Sequence, residues 1–149
     1  MTQLSMHSPV GDLTISEDDG AIVSVDWGWG AMQTETPLLR EARRQLDLYF
    51  DGELKQFDLP LRPHGTRLNK QVWAAMLRIP YGFTETYGKI AVELGATARS
   101  VGGSCGANPI PVLIPCHRVL AANGGLGGYS GDGGVETKVF LLRLEGALL

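Results

Sequence analysis

Most of the reactive side chains of this sequence lie in one short stretch, residues 108–119. The stretch reads NPIPVLIPCHRV, so that Cys116 is followed directly by His117 and Arg118. Its prolines stiffen the approach to the cysteine, and the apolar run 112–114 indicates an anchor in a core. A thiolate is a strong nucleophile, and a nearby base or cation raises its population. Adjacent side chains often point apart, so the residues alone leave two interpretations open: a buried structural thiol or an activated nucleophile.

The cysteine and histidine content argues against a metal site and against a disulfide scaffold. The chain has two cysteines, Cys105 and Cys116, and three histidines, and no CxxC or HxxxH spacing occurs. Structural zinc sites need four ligands at such spacings, and disulfide-stabilised domains carry more cysteines. We therefore expect no metal and a reducing compartment.

Glu145 is a second residue with possible chemistry, at the end of a helix predicted from about Val135. It follows Leu142 by three residues and Leu141 by four, which places it near the apolar side of that helix. A carboxylate at a helix C-terminus is disfavoured by the helix dipole. Glu145 is therefore either solvated or faces a partner such as His117.

The region before Cys116 predicts two short helices joined by a tight turn. Thr86 is a suitable N-cap for residues 87–94, which end at Gly95, and Thr97 is one for residues 98–107. This is a helix-turn-helix pattern, which many proteins that do not bind DNA also have. The second helix has three glycines, each costing roughly 1 kcal/mol relative to alanine. Either close helix packing or close approach to a nucleic-acid backbone would require such small residues.

The first half of the chain predicts a small sheet and a helix. Three short strands are expected within residues 2–27, with a hairpin turn at 18–20, followed by a helix from Pro37 to about residue 50. Residues 57–61 are a possible further strand, and the prolines and glycine of 60–65 mark a linker. A helical stripe over 68–79 opens the second half. We therefore expect two domains, residues 1–65 and 66–149.

Composition and charge narrow the function classes. The chain has 149 residues, of which 44% are hydrophobic, and no apolar run approaches the roughly 18 residues of a membrane span. Residues 1–10 lack the pattern of a signal peptide, so a cytoplasmic protein is expected. The net charge of −3 is unevenly spread: residues 1–65 carry eleven acidic and five basic side chains, whereas 66–149 carry five acidic and eight basic. The basic second half is compatible with nucleic acid as a partner.

The motifs of the second half resemble those of O6-alkylguanine-DNA alkyltransferases, also called methylated-DNA–protein-cysteine methyltransferases. The central match is PCHRV at 115–119, with NP upstream at 108–109 and GYSG downstream at 128–131. Three further segments match: TYGKIA at 86–91, ARSVGG at 98–103 and LLRLEG at 141–146. The resemblance is close over 68–146 and looser over 1–65. It implies an α+β fold, in which a ribonuclease-H-like domain of sheet and helix precedes a helical, winged-helix-like domain with a helix-turn-helix and the active site.

The resemblance also implies an activity and roles for individual residues. Cys116 would take the alkyl group from O6 of guanine, and by extension from O4 of thymine, in an irreversible single turnover. His117 would accept the thiol proton through a water, Glu145 would orient His117, and Asn108 would brace the turn before the active-site loop. The base would be flipped out of the duplex into a pocket lined by Val119, Tyr129 and Ser130.

The remaining implied roles concern DNA. Arg99 would fill the space left by the flipped nucleotide and Tyr87 would crowd its phosphate. Further DNA contacts are expected from Ser100, Gly102, Gly103 and Arg118. The expected partner is double-stranded DNA bound through the minor groove, with no cofactor, no membrane and a monomeric protein. The loop after Tyr129 is about two residues longer than in the family members, which blurs the pocket there.

Three other functions fit parts of the sequence. An alkyltransferase-like sensor would flip the lesion without chemistry, but such proteins lack the cysteine that this chain has at Cys116. A helix-turn-helix regulator would need no reactive residue. A cysteine hydrolase would need an oxyanion hole, for which no motif occurs.

Overall fold

The computed structural model describes residues 1–127 and 134–148. These residues fold as two compact units, one made of residues 1–64 with 109–111 and the other of 65–108 with residues from 112 onward. The predicted α+β class is confirmed, with an antiparallel sheet in the first unit and mostly helices in the second. Among the described residues, no helix is both long and apolar enough to cross a membrane.

The first unit contains an antiparallel meander of three strands. The strands are β1 (Thr2–Met6), β2 (Leu13–Asp18) and β3 (Ala21–Trp27), in that order across the sheet. The predicted hairpin turn is confirmed, since Asp18 pairs with Ala21 and both Asp19 and Gly20 have positive φ, 48° and 79°. Two positive φ values are typical of the turn whose twist suits a β-hairpin.

Both faces of this sheet are partly covered, so buried polar residues occur on it. Ser5 is 3% exposed, and its hydroxyl lies 2.8 Å from that of Thr14. The Ser5 hydroxyl also accepts a hydrogen bond from the backbone N–H of Gly30 at 2.9 Å. These hydrogen bonds satisfy polar groups of the sheet that would otherwise be buried and unpaired.

Helix α1 (Pro37–Phe50) packs in the same unit and matches its predicted start. Thr36 is the N-cap and accepts a hydrogen bond from the Leu39 N–H at 3.1 Å, while proline occupies the first turn, where its missing N–H costs nothing. The buried face includes the residues that the periodicity predicted: Leu39, Ala42, Leu46 and Tyr49.

The possible strand over residues 57–61 is wrong. Only Leu61 makes a bridge, an isolated parallel one with Ile22, whose backbone also bonds the carbonyl of Pro60 and the N–H of Arg62. Pro60 has no N–H to donate, and proline interrupts a ladder. The segment therefore crosses beside β3 without forming a strand of its own.

Within its described residues, the second unit contains four helices, a 3-10 turn and a pair of very short strands. The elements are α2 (Arg67–Leu77), β4 (Glu85–Thr86), α3 (Tyr87–Leu94), α4 (Ala98–Gly106), the 3-10 turn Cys116–Arg118, β5 (Val119–Leu120) and α5 (Val135–Leu144). Strands β4 and β5 pair in parallel, with Glu85 opposite Val119. This pairing places the start of α3 beside the chain that leaves the 3-10 turn.

The predicted helix-turn-helix is present as α3 and α4. Thr86 and Thr97 are the N-caps, and their hydroxyls accept hydrogen bonds from the backbone N–H groups of Lys89 and Ser100. Gly95 ends α3 with φ of 65°, the left-handed conformation common at helix ends. The two caps fix where each helix begins, so the sequence signals alone located this motif.

Candidate active site

Cys116 begins the 3-10 turn and follows a buried segment, residues 110–115, which we call the approach to the cysteine. Its backbone N–H donates to the carbonyl of Ile114 at 2.8 Å, and that of Arg118 donates to the carbonyl of Pro115 at 3.0 Å. Cys116 itself is only 6% exposed. Val112, within the approach, has φ of 71°, a left-handed conformation that is strained for a β-branched residue. The predicted rigid, anchored cysteine is therefore present.

Asn108 links the end of α4 to this approach. Its side-chain NH₂ donates to the carbonyl of Ile114 at 3.0 Å, and its backbone N–H donates to the carbonyl of Cys105 at 3.2 Å. Since Ile114 also receives the Cys116 N–H, one carbonyl joins the asparagine to the reactive turn. This is the geometry expected of a brace.

His117 and Glu145 are in direct contact, which resolves the alternatives left open for the carboxylate. Nε2 of His117 lies 2.8 Å from Oε2 of Glu145, and both side chains are fully buried. Because a carboxylate accepts, the imidazole places its proton on Nε2. Nδ1 of His117 then carries the lone pair, and it is the one buried side-chain N or O atom without a hydrogen-bond partner among the described residues.

Burial controls the protonation of His117. Desolvation lowers the pKa of the imidazole, and it outweighs Glu145, which raises that pKa, while the cations of Arg118 and Lys138 lower it further. The imidazole is therefore neutral near pH 7. A neutral imidazole with a free, buried Nδ1 has the form that a general base requires.

Arg118 lies inside the molecule, and its placement corrects the expectation that it contacts DNA. The side chain is buried, and its guanidinium donates to both carboxylate oxygens of Glu145, at 2.8 and 3.0 Å, and to the Ile79 carbonyl at 2.7 Å. Its donors are thus directed at the protein interior. A bidentate ion pair of this kind fixes the plane of the carboxylate, so Arg118 positions Glu145 against His117.

The turn after α2 packs against the same carboxylate end. The Tyr81 hydroxyl donates to the carbonyl of Leu144 at 3.1 Å, and its ring centroid lies 5.9 Å from the Arg118 guanidinium carbon. A side chain on Gly82 would come within 3.3 Å of the Glu145 carbonyl. The end of α5 is therefore enclosed by this turn as well as by the 3-10 turn.

Lys138 is a residue of the site that the sequence reasoning missed. Its side chain is fully buried, and Nζ donates to the carbonyl of Val119 at 2.7 Å and lies 5.7 Å from the Tyr87 ring centroid. Burial lowers the pKa of this amine, and Cys116 and Cys105 act on it in the opposite direction. The signal was present: Lys138 precedes Glu145 by seven residues, two helical turns, and so shares its face of α5.

Tyr87 borders the two thiols at the start of α3. Burial raises its pKa to about 12, with smaller contributions from Cys105 and Cys116, so the hydroxyl stays protonated and can donate. Gly127 (φ 68°) leaves room for the ring, since a side chain there would come within 3.1 Å of the hydroxyl. Burial likewise raises the pKa of Cys105 to about 12, which makes that thiol a poor nucleophile.

Helix α4 divides into an open face and a buried face. Arg99 and Gly103 are exposed and Gly102 is half-buried, and a side chain on Gly102, Gly103 or Gly106 would meet no heavy atom within 4 Å. Close packing within the protein therefore does not explain these glycines. Their open face is the surface that a large ligand could approach closely.

The other predicted site residues are placed as follows. Ser100 bonds Thr97 in the capping box of α4, with its hydroxyl 2.6 Å from that of Thr97. Val119 is fully buried at the start of β5. Tyr129 and Ser130 lie outside the described residues, as does the longer loop that follows them. Within the described parts of the chain, no group of three or more His, Cys, Asp or Glu residues could hold a metal ion.

Comparison with known proteins assigns both units of the chain. Residues 1–63 match the family model "6-O-methylguanine DNA methyltransferase, ribonuclease-like domain", and residues 67–147 match "6-O-methylguanine DNA methyltransferase, DNA binding domain". The chain belongs to the 6-O-methylguanine DNA methyltransferase family. The resemblance found in the motifs is thereby confirmed, and this methyltransferase has the family's two-part architecture.

Individual relatives cover nearly the whole methyltransferase chain. It is 44% identical to the methylated-DNA–protein-cysteine methyltransferase of Methanosarcina acetivorans, over 95% of this chain and 96% of that protein. It is 41% identical to the constitutive enzyme of Bacillus subtilis, over 93% and 92% of the two chains. The crystal structure of the Mycobacterium tuberculosis enzyme in complex with DNA superposes with a TM-score of 0.88 at 38% identity, covering 99% of this chain and 94% of that one.

Proposed function

We propose that this protein repairs DNA by transferring the alkyl group of O6-alkylguanine irreversibly to Cys116. The observation that supports this best is the buried contact of His117 with Glu145 directly after the cysteine. It leaves Nδ1 of a neutral imidazole as a proton acceptor on the residue that follows the cysteine. The family and the relatives' names supply the reaction class, methyl transfer from DNA to a protein cysteine.

The transfer proceeds in one displacement. The Cys116 thiol gives its proton, through a water, to Nδ1 of His117, and Glu145 stabilises the imidazolium that forms. The sulfur then attacks the alkyl carbon, so that an S–C bond forms while the bond from that carbon to O6 breaks. The electron pair stays on the guanine, which is reprotonated. The C–S bond of an alkyl thioether is stable towards water, so each molecule reacts once.

Lys138 and Tyr87 complete this site. The buried ammonium of Lys138 interacts with the Cys116 charge, and it would stabilise the thiolate once the proton has left. The hydroxyl of Tyr87 remains protonated and can donate to the leaving base as charge develops on it. Tyr129, Ser130 and Val119 remain the proposed lining of the base pocket, and O4-alkylthymine remains a proposed second substrate.

DNA is proposed to bind through the minor groove on the open face of α4. Gly102 and Gly103 allow a close approach, and the exposed Arg99 would enter the stack where the target nucleotide has been flipped out. Arg118 has no part in this surface. We further propose that the protein acts as a cytoplasmic monomer without a cofactor.

Mass spectrometry tests the chemistry. The protein is incubated with an oligonucleotide containing O6-methylguanine, and peptides are mapped. We expect one added methyl group on Cys116 in the wild type and in Cys105→Ala, and none in Cys116→Ala. Unmodified wild-type protein beside intact lesion would refute the proposal, as would methylation of Cys105. Repeated turnover of an ester substrate would favour the hydrolase instead.

Comparing two substrates tests the role of Arg99. Arg99→Ala is expected to slow reaction with lesion-containing duplex while leaving reaction with free O6-benzylguanine unchanged, because the free base needs no flipping. Arg40→Ala, an exposed arginine on α1, is the matched control and should change neither rate. Equal losses on both substrates would exclude the proposed insertion into the stack.

A further inference from the structure

Helix α4 has a sequence that is a poor helix former. It has nine residues, and Gly102, Gly103 and Gly106 all lie among the last five, which we call its glycine-rich half. Short helices are marginal in water even with good helix formers, and glycine is among the least favourable residues in a helix interior. The capping box at Thr97 stabilises only the first turn. The glycine-rich half must therefore be held by contacts from outside the helix.

Ser104, within the glycine-rich half, receives two such contacts from α2. The indole N–H of Trp73 donates to the Ser104 carbonyl at 2.8 Å, and the Ser104 hydroxyl donates to Oδ1 of Asn69 at 2.7 Å. The Ser104 carbonyl is among the last four of α4, which have no partner within the helix. The indole thus supplies, from another helix, a cap that α4 lacks.

The α2 side of this contact is itself fixed. Asn69 and Trp73 are four residues apart and share one face of the helix. The Asn69 N–H donates to the N-cap hydroxyl of Thr66 at 3.1 Å. A side chain on Gly65 would come within 2.5 Å of the Trp73 ring, so that glycine is what allows the indole its position. The start of α2 therefore sets both partners of Ser104.

The contact lies on the face of α4 opposite the open one. Val101, Ser104 and Cys105 are buried together, whereas Arg99, Gly102, Gly103 and Gly106 follow the i, i+3, i+4, i+7 spacing of a single stripe. Variants on the buried face can therefore weaken the hold on the helix without altering the open surface.

We propose that Trp73, Asn69 and Ser104, the Ser104 latch, position the glycine-rich half of α4 for duplex DNA. The proposal rests on the proposed function, because it takes the open stripe as the DNA surface. Trp73 and Asn69 are positioning residues that act through Ser104. Because the latch stabilises α4 through its buried face, the helix can have glycines instead of larger side chains on its open face. Loss of the latch should therefore reduce reaction with duplex selectively.

Three variants and a control test the latch. Asn69→Ala and Ser104→Ala each remove the same hydroxyl–amide bond, and Trp73→Phe removes the indole donor. Ser5→Ala, a buried and hydrogen-bonded serine in the first unit, is the control for general destabilisation. For each protein, rates are measured with duplex O6-methylguanine and with free O6-benzylguanine, and amide hydrogen exchange is followed in α4.

The expected result is a loss of about three- to tenfold in the duplex rate for each latch variant, with the free-base rate within about twofold of wild type. The Asn69→Ala/Ser104→Ala double variant should lose no more than either single one, because one bond is shared. Amides in α4 should exchange faster in all three. Parallel losses on both substrates, additive losses in the double variant or the same selectivity in Ser5→Ala would overturn the proposal.

Failure of the latch is distinguishable from failure of the proposed function. Amide exchange is measured on the protein alone, so unchanged exchange in α4 overturns the latch whatever the protein repairs. If wild-type Cys116 stays unmethylated, the proposed function fails first, and with it the link between the latch and DNA.

Discussion

Gly103→Ala should stabilise the protein and impair it on DNA at the same time. Gly103 is exposed in the middle of α4, and a side chain there would meet no heavy atom within 4 Å. The free protein can therefore accept the methyl group without rearrangement. On duplex DNA, the same methyl group would occupy the space into which the groove is proposed to fit.

The two effects have opposite signs and comparable size. Alanine is more favourable than glycine in a helix interior by about 1 kcal/mol, which corresponds to a rise in Tm of roughly 2–4 °C for a chain of this length. A groove displaced by one methyl group should slow reaction with duplex by about tenfold or more, equivalent to at least about 1.4 kcal/mol. Reaction with free O6-benzylguanine should not change.

Calorimetry and single-turnover kinetics decide the outcome. A higher Tm with an unchanged duplex rate would mean that the open stripe of α4 is not the DNA surface. A lower Tm would mean that packing requires the glycine, contrary to the open space around it. Equal losses with duplex and free base would indicate damage to Cys116 rather than to DNA recognition.

Other predictions concern the buried charges. Arg118→Met should lower the free energy of unfolding by about 3–5 kcal/mol, because it strands a buried carboxylate, whereas the exposed Arg99→Ala should change it by less than about 0.5 kcal/mol in the same urea titration. Glu145→Gln removes the group that raises the pKa of His117, so the acid limb of the pH–rate profile should move to lower pH as the rate falls. Lys138→Met should slow methyl transfer to Cys116 at pH 7 while leaving the duplex Kd nearly unchanged, a combination that a DNA contact would not produce.

The local signals of the sequence were sufficient to locate the helices and the hairpin of β2 and β3, but not the short strands β4 and β5. The threonine caps at Thr86 and Thr97, the left-handed Gly95 and the hairpin at Asp19-Gly20 act through backbone chemistry within a few residues, and the structure confirms each. The strand expected over 57–61 is wrong, because strand formation depends on a partner that periodicity does not specify.

Contacts between residues that are distant in sequence could be predicted at most as one of several alternatives. The position of Glu145 near the apolar side of α5 left two interpretations open, a solvated carboxylate or a partner such as His117, and the contact with His117 decides between them. Arg118 misled because a long cation in a basic half of the chain is usually solvated. Its two bonds to Glu145 come from a residue 27 positions away, and no local pattern encodes them.

The buried charged residues of the site act on one another and are best considered together. Desolvation is the main cause that lowers the pKa of His117, and Arg118, which is paired with the Glu145 carboxylate, lowers that pKa further. Lys138 adds a second cation that interacts with Cys116, where the proposed reaction develops a negative charge. Before reaction, the neutral imidazole of His117 therefore contacts the Glu145 carboxylate, which is paired with Arg118, while Lys138 supplies a second cation. In the proposed mechanism, transfer of one proton from Cys116 to His117 creates two charges, with Lys138 acting on the thiolate and Glu145 on the imidazolium.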